Sequence, residues 1–287
     1  MDNSYTMEGG ILYIDKEEGM TSREVDNAIQ RLFHTRRVGH LGTLDPFATG
    51  LLIVAVNEAT KCLPYYDDDE KTYIAELRLG ESTETGDMTG AIKERKPVPS
   101  LSRLDIEKRT VHFIGPYLQV PPMTSAIRKD GKHLYELAHK GIEVAREPIE
   151  RIVYILDILS YEEPYVTIKA KVSKGTYIRT LGEDMANSLG TVGHLTSLRR
   201  IAIGKTSVEG SIKLDQVSKE SLRDPFALLP YRRVILPKDI ALKARNGVKL
   251  EFDDEEDRLF VLDEENKPIA LYEREEGKRY RVLRGLA

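Results

Sequence analysis

Residues 37–50 read Arg37-Val38-Gly39-His40-Leu41-Gly42-Thr43-Leu44-Asp45-Pro46-Phe47-Ala48-Thr49-Gly50, and the rest of the chain is best read outward from them. Three glycines and a proline in so short a span dictate backbone shape, and they hold one carboxylate, Asp45, at a loop tip. Asp followed by Pro is also a common helix start, with Asp45 as cap and Pro46 at the first helical position. Local chemistry therefore leaves two readings open, a helix cap or a presented carboxylate.

The flanks read more simply. Residues 10–16 are expected as a strand, followed by a helix whose start carries a capping box, Thr21 with Glu24 three positions on. Val25, Ile29, Leu32 and Phe33 give that helix one apolar face. After a loop over residues 39–50, the uninterrupted run Leu51-Leu52-Ile53-Val54-Ala55-Val56 reads as a buried strand. Residues 71–79 alternate as a strand that ends in the turn-rich GESTETGDMTG, and residues 100–109 form a helix capped by Ser100 or Ser102. Gln119-Val120-Pro121-Pro122 must be extended, because each proline restricts the residue before it.

Residues 124–146, rich in Lys, Arg and His, look like an inserted mobile element of a short strand and a helix, ahead of a long strand at 151–160. In residues 165–172, Val166, Ile168, Ala170 and Val172 alternate with Thr167, Lys169 and Lys171, so one face is core and the other presents lysines. Residues 176–189 read as a helix closed by Gly190. Pro225, Pro230 and Pro237 mark a boundary, beyond which a helix from Pro237 to Gly247 and strands at 258–262, 269–273 and 279–283 make a small β-rich module.

Composition narrows the chemistry. The 287 residues, 40% hydrophobic and 31% charged, can bury a sizeable core and fall outside the disordered and fibrous classes. The longest apolar run has six residues, far short of a membrane span, and the N-terminal stretch has no export signal, so the expected address is the cytoplasm. A lone cysteine, Cys62, excludes an internal disulfide and a thiolate zinc site. Net charge is −4, yet residues 166–205 carry seven basic side chains against two acids. Arg31, His34, Arg36, Arg37 and His40 stand together with no acid between them, while six of the seven residues 251–257 are acidic. A basic face on an acidic protein fits a polyanion confined to one surface.

Gly204-Lys205-Thr206 lacks the earlier glycine of a phosphate loop, where Arg199 stands instead. No two histidines sit four apart with an adjacent glutamate, Gly-x-Ser-x-Gly is missing, and no dinucleotide fingerprint follows the first strand. No cofactor and no metal are expected.

Against that background, GHLGTLDPFATGLL with the following Ala59-Thr60-Lys61 closely resembles the catalytic-aspartate motif of the tRNA pseudouridine-55 branch of the pseudouridine synthases. Lys71-Thr72-Tyr73 resembles the family's Lys-x-Tyr strand, GESTETGDMTG its next turn, residues 174–179 its KGTYIR segment, and residues 194–200 its HLxxLRR segment. The order is right and the cover runs from Gly9 to about Lys205. Three departures stand out: Lys16-Glu17-Glu18-Gly19 where the family has Lys-Pro-x-Gly, Asn57 in place of a glycine, and Met123-Thr124 where an aromatic is common.

The resemblance implies an α+β pseudouridine synthase fold with a central mixed β-sheet over residues 1–230, an RNA-gripping insertion at 119–146, and a PUA-like RNA-binding module at 231–287. It implies isomerisation of a uridine in the tRNA T-arm to pseudouridine, with no obligatory protein partner and no membrane. A tRNA-binding folding helper and a guide-dependent relative are the alternatives. Asp45 is then the essential carboxylate, adding to sugar or base or abstracting a ribose proton. Either route needs an ionised carboxylate in a partly dry pocket, hence an opposing cation, and Arg179 is the family-matched one. Tyr73 is expected to stack on the flipped uracil and relay a proton. Tyr177 and Leu198 are expected to wall and floor the pocket, and His40 to enter the RNA loop. Gly39 and Gly42 are expected to admit RNA to the backbone, and Lys16 to brace the catalytic loop. Arg128, Lys129, Lys132, Lys140 and Lys174 are the expected RNA contacts.

Overall fold

A computed structural model describes residues 9–123, 125, 128–129, 132–133 and 144–286. The chain runs β1 (Gly9–Lys16), α1 (Ser22–Leu32), β2 (Val38–Leu41), β3 (Thr49–Asn57), β4 (Glu70–Leu79), β5 (Glu81–Thr83), β6 (Ile92–Arg95) and α2 (Arg103–Thr110). It continues through β7 (Gly115–Gln119), β8 (Arg128–Lys129), β9 (Lys132–His133), β10 (Ile149–Glu162), β11 (Tyr165–Ser173), α3 (Ile178–Ser188), β12 (Gly193–Ile203) and β13 (Thr206–Ser207). Last come β14 (Arg232–Leu236), α4 (Lys238–Arg245), β15 (Leu250–Glu251), β16 (Arg258–Asp263), β17 (Pro268–Glu276) and β18 (Arg279–Gly285).

The main sheet has the order β1-β3-β12-β4-β11-β10-β7, with β2 on β3 and β13 on β12. It is mixed because β3 and β12 run parallel while the other pairs are antiparallel. β3 is apolar at every position from Leu51 to Val56 because that stretch is covered on both faces. Leu52, Val54 and Val56 pack with Val25 and Ile29 of α1. Leu51, Ile53 and Ala55 pack instead with Phe226, Phe260, Leu262 and Leu271, so the second, five-stranded sheet (β14-β16-β17-β18-β15) docks against the back of β3. A continuous run, rather than an alternating one, is what two-sided burial demands.

Helix α1 starts at the expected capping box, with Glu24 N–H donating to Thr21 Oγ1 (3.1 Å) and Thr21 N–H to the Glu24 carboxylate (2.7 Å). Ser102, not Ser100, caps α2. One expectation fails and one open reading is decided. Residues 39–41, expected within the loop, pair with β3 as part of β2, because Val38 and Leu41 have apolar surface to bury there. Asp45-Pro46 does not open a helix: Ala48 N–H returns to Asp45 O (3.0 Å), which closes a single turn before β3 begins. Asn57, the departure from glycine, sits at φ +55°, a left-handed position that Asn tolerates better than most residues.

Where β3 and β12 run parallel, Gly50 faces Arg200 at φ +100°, and a Cβ there would lie 2.3 Å from the Arg200 carbonyl oxygen. Gly50→Ala must move one of the two strands that carry the site, so a loss of about 2–4 kcal/mol is expected. Urea unfolding measures it, and an unchanged midpoint would contradict the close strand approach.

Candidate active site

β4 alternates with Lys71, Tyr73, Ala75, Leu77 and Leu79 inward. The inward stripe thus turns polar at its N-terminal end, and the site lies there. β12 delivers Leu198 and Arg200 to the same side, two residues apart, while Arg199 points the other way and forms a two-pronged pair with Asp15 (2.8 and 2.8 Å). The cleft so formed has a volume of about 470 Å³. Asp45, Tyr73, Tyr177, Arg179 and Leu198 all line it, with Gly42 and Lys174.

Asp45 and Arg179 meet across 134 residues of sequence. Arg179 Nε donates to Asp45 Oδ2 (2.8 Å), Nη2 to Oδ1 (3.4 Å) and Nη1 to the Thr85 carbonyl (2.8 Å). The Arg179 side chain is 3% exposed and that of Asp45 34%, so the cation is sealed while one side of the carboxylate faces the cleft. Asp87 stands behind, 3.9 Å from Arg179 Nε, fixed by Thr85 Oγ1 (2.9 Å) and Thr89 N–H (2.9 Å). Planar two-point contact of this kind orients as well as neutralises.

The loop that presents Asp45 is tied at alternate carbonyls. Arg200 Nη2 donates to Gly42 O (2.8 Å), Ser22 Oγ to Leu44 O (3.1 Å), and Gly19 N–H to Pro46 O (2.8 Å). Lys16 Nζ joins at Pro46 O (3.3 Å) while also donating to Met20 O (2.7 Å) and Glu17 O (2.8 Å), so it links the turn after β1 to the Asp45 loop. Burial pushes its ammonium down to about 8, against the pull of Asp45.

Arg200 went unread in the sequence as a site residue, although its place two positions after Leu198 in a strand carries the signal. It is fully buried; Nε donates to Leu51 O (2.8 Å), and Nη1 makes no hydrogen bond of ordinary length among the described residues. Burial opposes its charge, and neighbouring Tyr73 offsets part of that. Lys71, likewise lowered by burial, contacts Asp68 (Oδ2 3.5 Å), whose other oxygen takes Lys174 (2.6 Å). Four cations, Lys71, Lys174, Arg179 and Arg200, thus face two carboxylates in the cleft, which favours an anionic guest.

Gln119, the first residue of the expected insertion, also reaches the helix that carries Arg179. Its Oε1 accepts from Tyr177 N–H (2.8 Å) and its Nε2 donates to Tyr177 O (3.0 Å), which pins the N-cap residue of α3 two positions before Arg179. No local pattern announces that contact. His40 and Gly39 do not line the cleft. His40 is held by Asp26 (Nδ1 to Oδ2, 2.8 Å) and Thr43 (Nε2 to Oγ1, 3.1 Å), beside the loop rather than in it. A Cβ on Gly39 would meet Leu63 (3.1 Å), so that glycine serves packing here. The side chains of Arg128, Lys129, Lys132 and Lys140 lie outside the described residues; the first three lie on the backbone ladder β8–β9.

Glu183, on the helix that carries Arg179, is pushed up to about 7 by burial and by Asp184, against Arg179, Lys93 and Arg146. Its folded value exceeds the ordinary 4.5, so its contribution to stability is complete below about pH 4.5 and is lost as pH rises through about 7. Glu183→Gln is expected to flatten the fall in urea midpoint across that window. An unchanged curve would show that the carboxyl titrates normally.

Residues 30–178 match the N-terminal domain of the TruB family pseudouridylate synthases, and residues 179–243 match the tRNA pseudouridylate synthase B C-terminal domain. The tRNA pseudouridine synthase B of Psychrobacter cryohalolentis is 36% identical over 270 residues, covering 92% of this chain and 74% of the relative. That of Clostridium kluyveri is 40% identical over 247 residues, covering 84% and 85%. Among solved structures, a Cbf5-Nop10-Gar1 complex superposes with TM-score 0.73 at 22% identity over 97% of this chain and 85% of that one, which establishes the shared fold. With both family domains matched and curated relatives 36–40% identical over most of its length, the chain belongs to the TruB family of pseudouridylate synthases.

Proposed function

We propose that this protein isomerises a uridine in the T-arm of tRNA to pseudouridine, acting alone, with Asp45 as the essential carboxylate. The Asp45–Arg179 contact in the cleft carries the reading, because it holds a carboxylate, oriented by a buried cation, beside two tyrosines and an apolar floor. The reaction breaks the bond from N1 to the ribose, forms one from C5, releases the C5 proton and leaves N1 protonated. Atoms balance without a redox partner.

Tyr73 and Tyr177 offer the flipped base its aromatic wall and Leu198 its floor. Arg179 fixes the orientation of Asp45, Lys16 braces the loop, and Gly42 lets the chain approach RNA. His40 enters the RNA loop once it leaves Asp26, and Lys174 meets the backbone at the rim. Residues 1–230 serve as the catalytic domain, with 119–146 gripping RNA, and 231–287 as a PUA-like RNA-binding module. No described helix is long and apolar enough to cross a membrane, and the cytoplasm, where tRNA is found, is the proposed location.

The test is tritium release from C5-labelled uridine in an unmodified tRNA transcript, with purified protein and nothing else added. Steady release supports the reading. Binding without release points to a folding helper, and release only with an added guide RNA to a guide-dependent enzyme.

A further inference from the structure

The C-terminal end of α1 and the turn after it form a second basic site that the catalytic cleft does not include. Asn27, Gln30, Arg31, His34, Thr35 and Arg36 line a shallow groove of about 550 Å³, all polar and with no carboxylate among them. Arg31 and Arg36 are exposed, and among the described residues neither makes an ion pair, whereas Arg37 is engaged by Glu58. Asp26, the acid nearest in sequence, is buried and taken by His40 and Arg23. The protein carries a net charge of −4, so this is a local surplus of positive charge, with no ion-pair partner for Arg31 or Arg36 among the described residues.

The groove also has a defined relation to the cleft. β2, residues Val38–Leu41, leads from Arg37 directly to Gly42, which lines the cleft. Four strand residues span about 13 Å, the axial length of about four stacked nucleotides. A polyanion seated at Asp45 can therefore continue along β2 to the groove.

We infer that Arg31 and Arg36 hold backbone phosphates of the tRNA that flank the modified loop, an anchoring surface separate from the cleft. This rests on the tRNA reading above. Base identity is not read there, since flexible cations on an open groove meet phosphates without sequence discrimination.

The experiment compares wild type with Arg31→Gln/Arg36→Gln and with the charge-retaining Arg31→Lys/Arg36→Lys, measuring affinity for a tRNA transcript across a salt series. The glutamine variant is expected to bind about tenfold more weakly at low salt, with a log-log salt slope smaller in magnitude by about 1.4–1.8. Lysine should restore most of both, and turnover at saturating tRNA should remain at the wild-type rate. Unchanged affinity and slope, with only a lower melting temperature, would show that the two cations merely complement the helix C-terminus and would overturn the proposal. Wild-type protein that binds tRNA through this groove yet releases no tritium would overturn the isomerase reading and leave the groove standing.

Discussion

Asp45→Asn is expected to bind tRNA within about threefold of wild type while losing more than about 10⁴-fold of its turnover. Size is conserved, and the ties that shape the loop run through the carbonyls of Gly42, Leu44 and Pro46, none of which the substitution touches. The turn closed by Ala48 N–H on the Asp45 carbonyl also survives, because it is a backbone bond. The charge does not survive, and an amide N–H directed at Arg179 has no acceptor. Tritium release and fluorescence-based binding separate the two effects. Turnover within tenfold of wild type would remove Asp45 from the chemistry.

Arg179→Lys is the second large effect. Lysine keeps the positive charge, but one ammonium cannot reach both oxygens of Asp45 and the Thr85 carbonyl from the same rotamer. At 3% exposure the side chain has no route to RNA phosphates, so affinity should hardly change. Turnover should fall by about 10²–10³-fold, the usual cost of losing one preorganised polar contact at a reacting centre. Parallel losses of affinity and turnover would identify Arg179 as a phosphate contact instead.

Much of this was legible in the chain because local chemistry and burial agreed. The capping box at Thr21 and Glu24, the two-sided apolar run of β3 and the alternation of β11 each formed as read. Asp45, Tyr73, Tyr177, Arg179 and Leu198, grouped by the resemblance rather than by periodicity, line one cleft. The rest was hidden for physical reasons. β2 looked like loop because its four residues include a glycine and a histidine, and only pairing with β3 makes them a strand. Gln119 reaches Tyr177 across 58 residues, a distance over which sequence pattern is silent. Arg200 drew no site reading as the second of two adjacent arginines, yet alternation from Leu198 sets it inward, where two carbonyls compensate its burial. His40 carried a substrate role in the reading, and in this structure Asp26 holds it outside the cleft.

The most direct test is positional. An unmodified tRNA transcript is incubated with wild type or with Asp45→Asn alone, treated with a carbodiimide that marks pseudouridine, and read by reverse transcription. One strong stop in the T-arm with wild type, and none with an Asp45→Asn protein shown to bind the same transcript, is the predicted result. A stop elsewhere in the tRNA, or an undiminished stop with Asp45→Asn, would contradict the account.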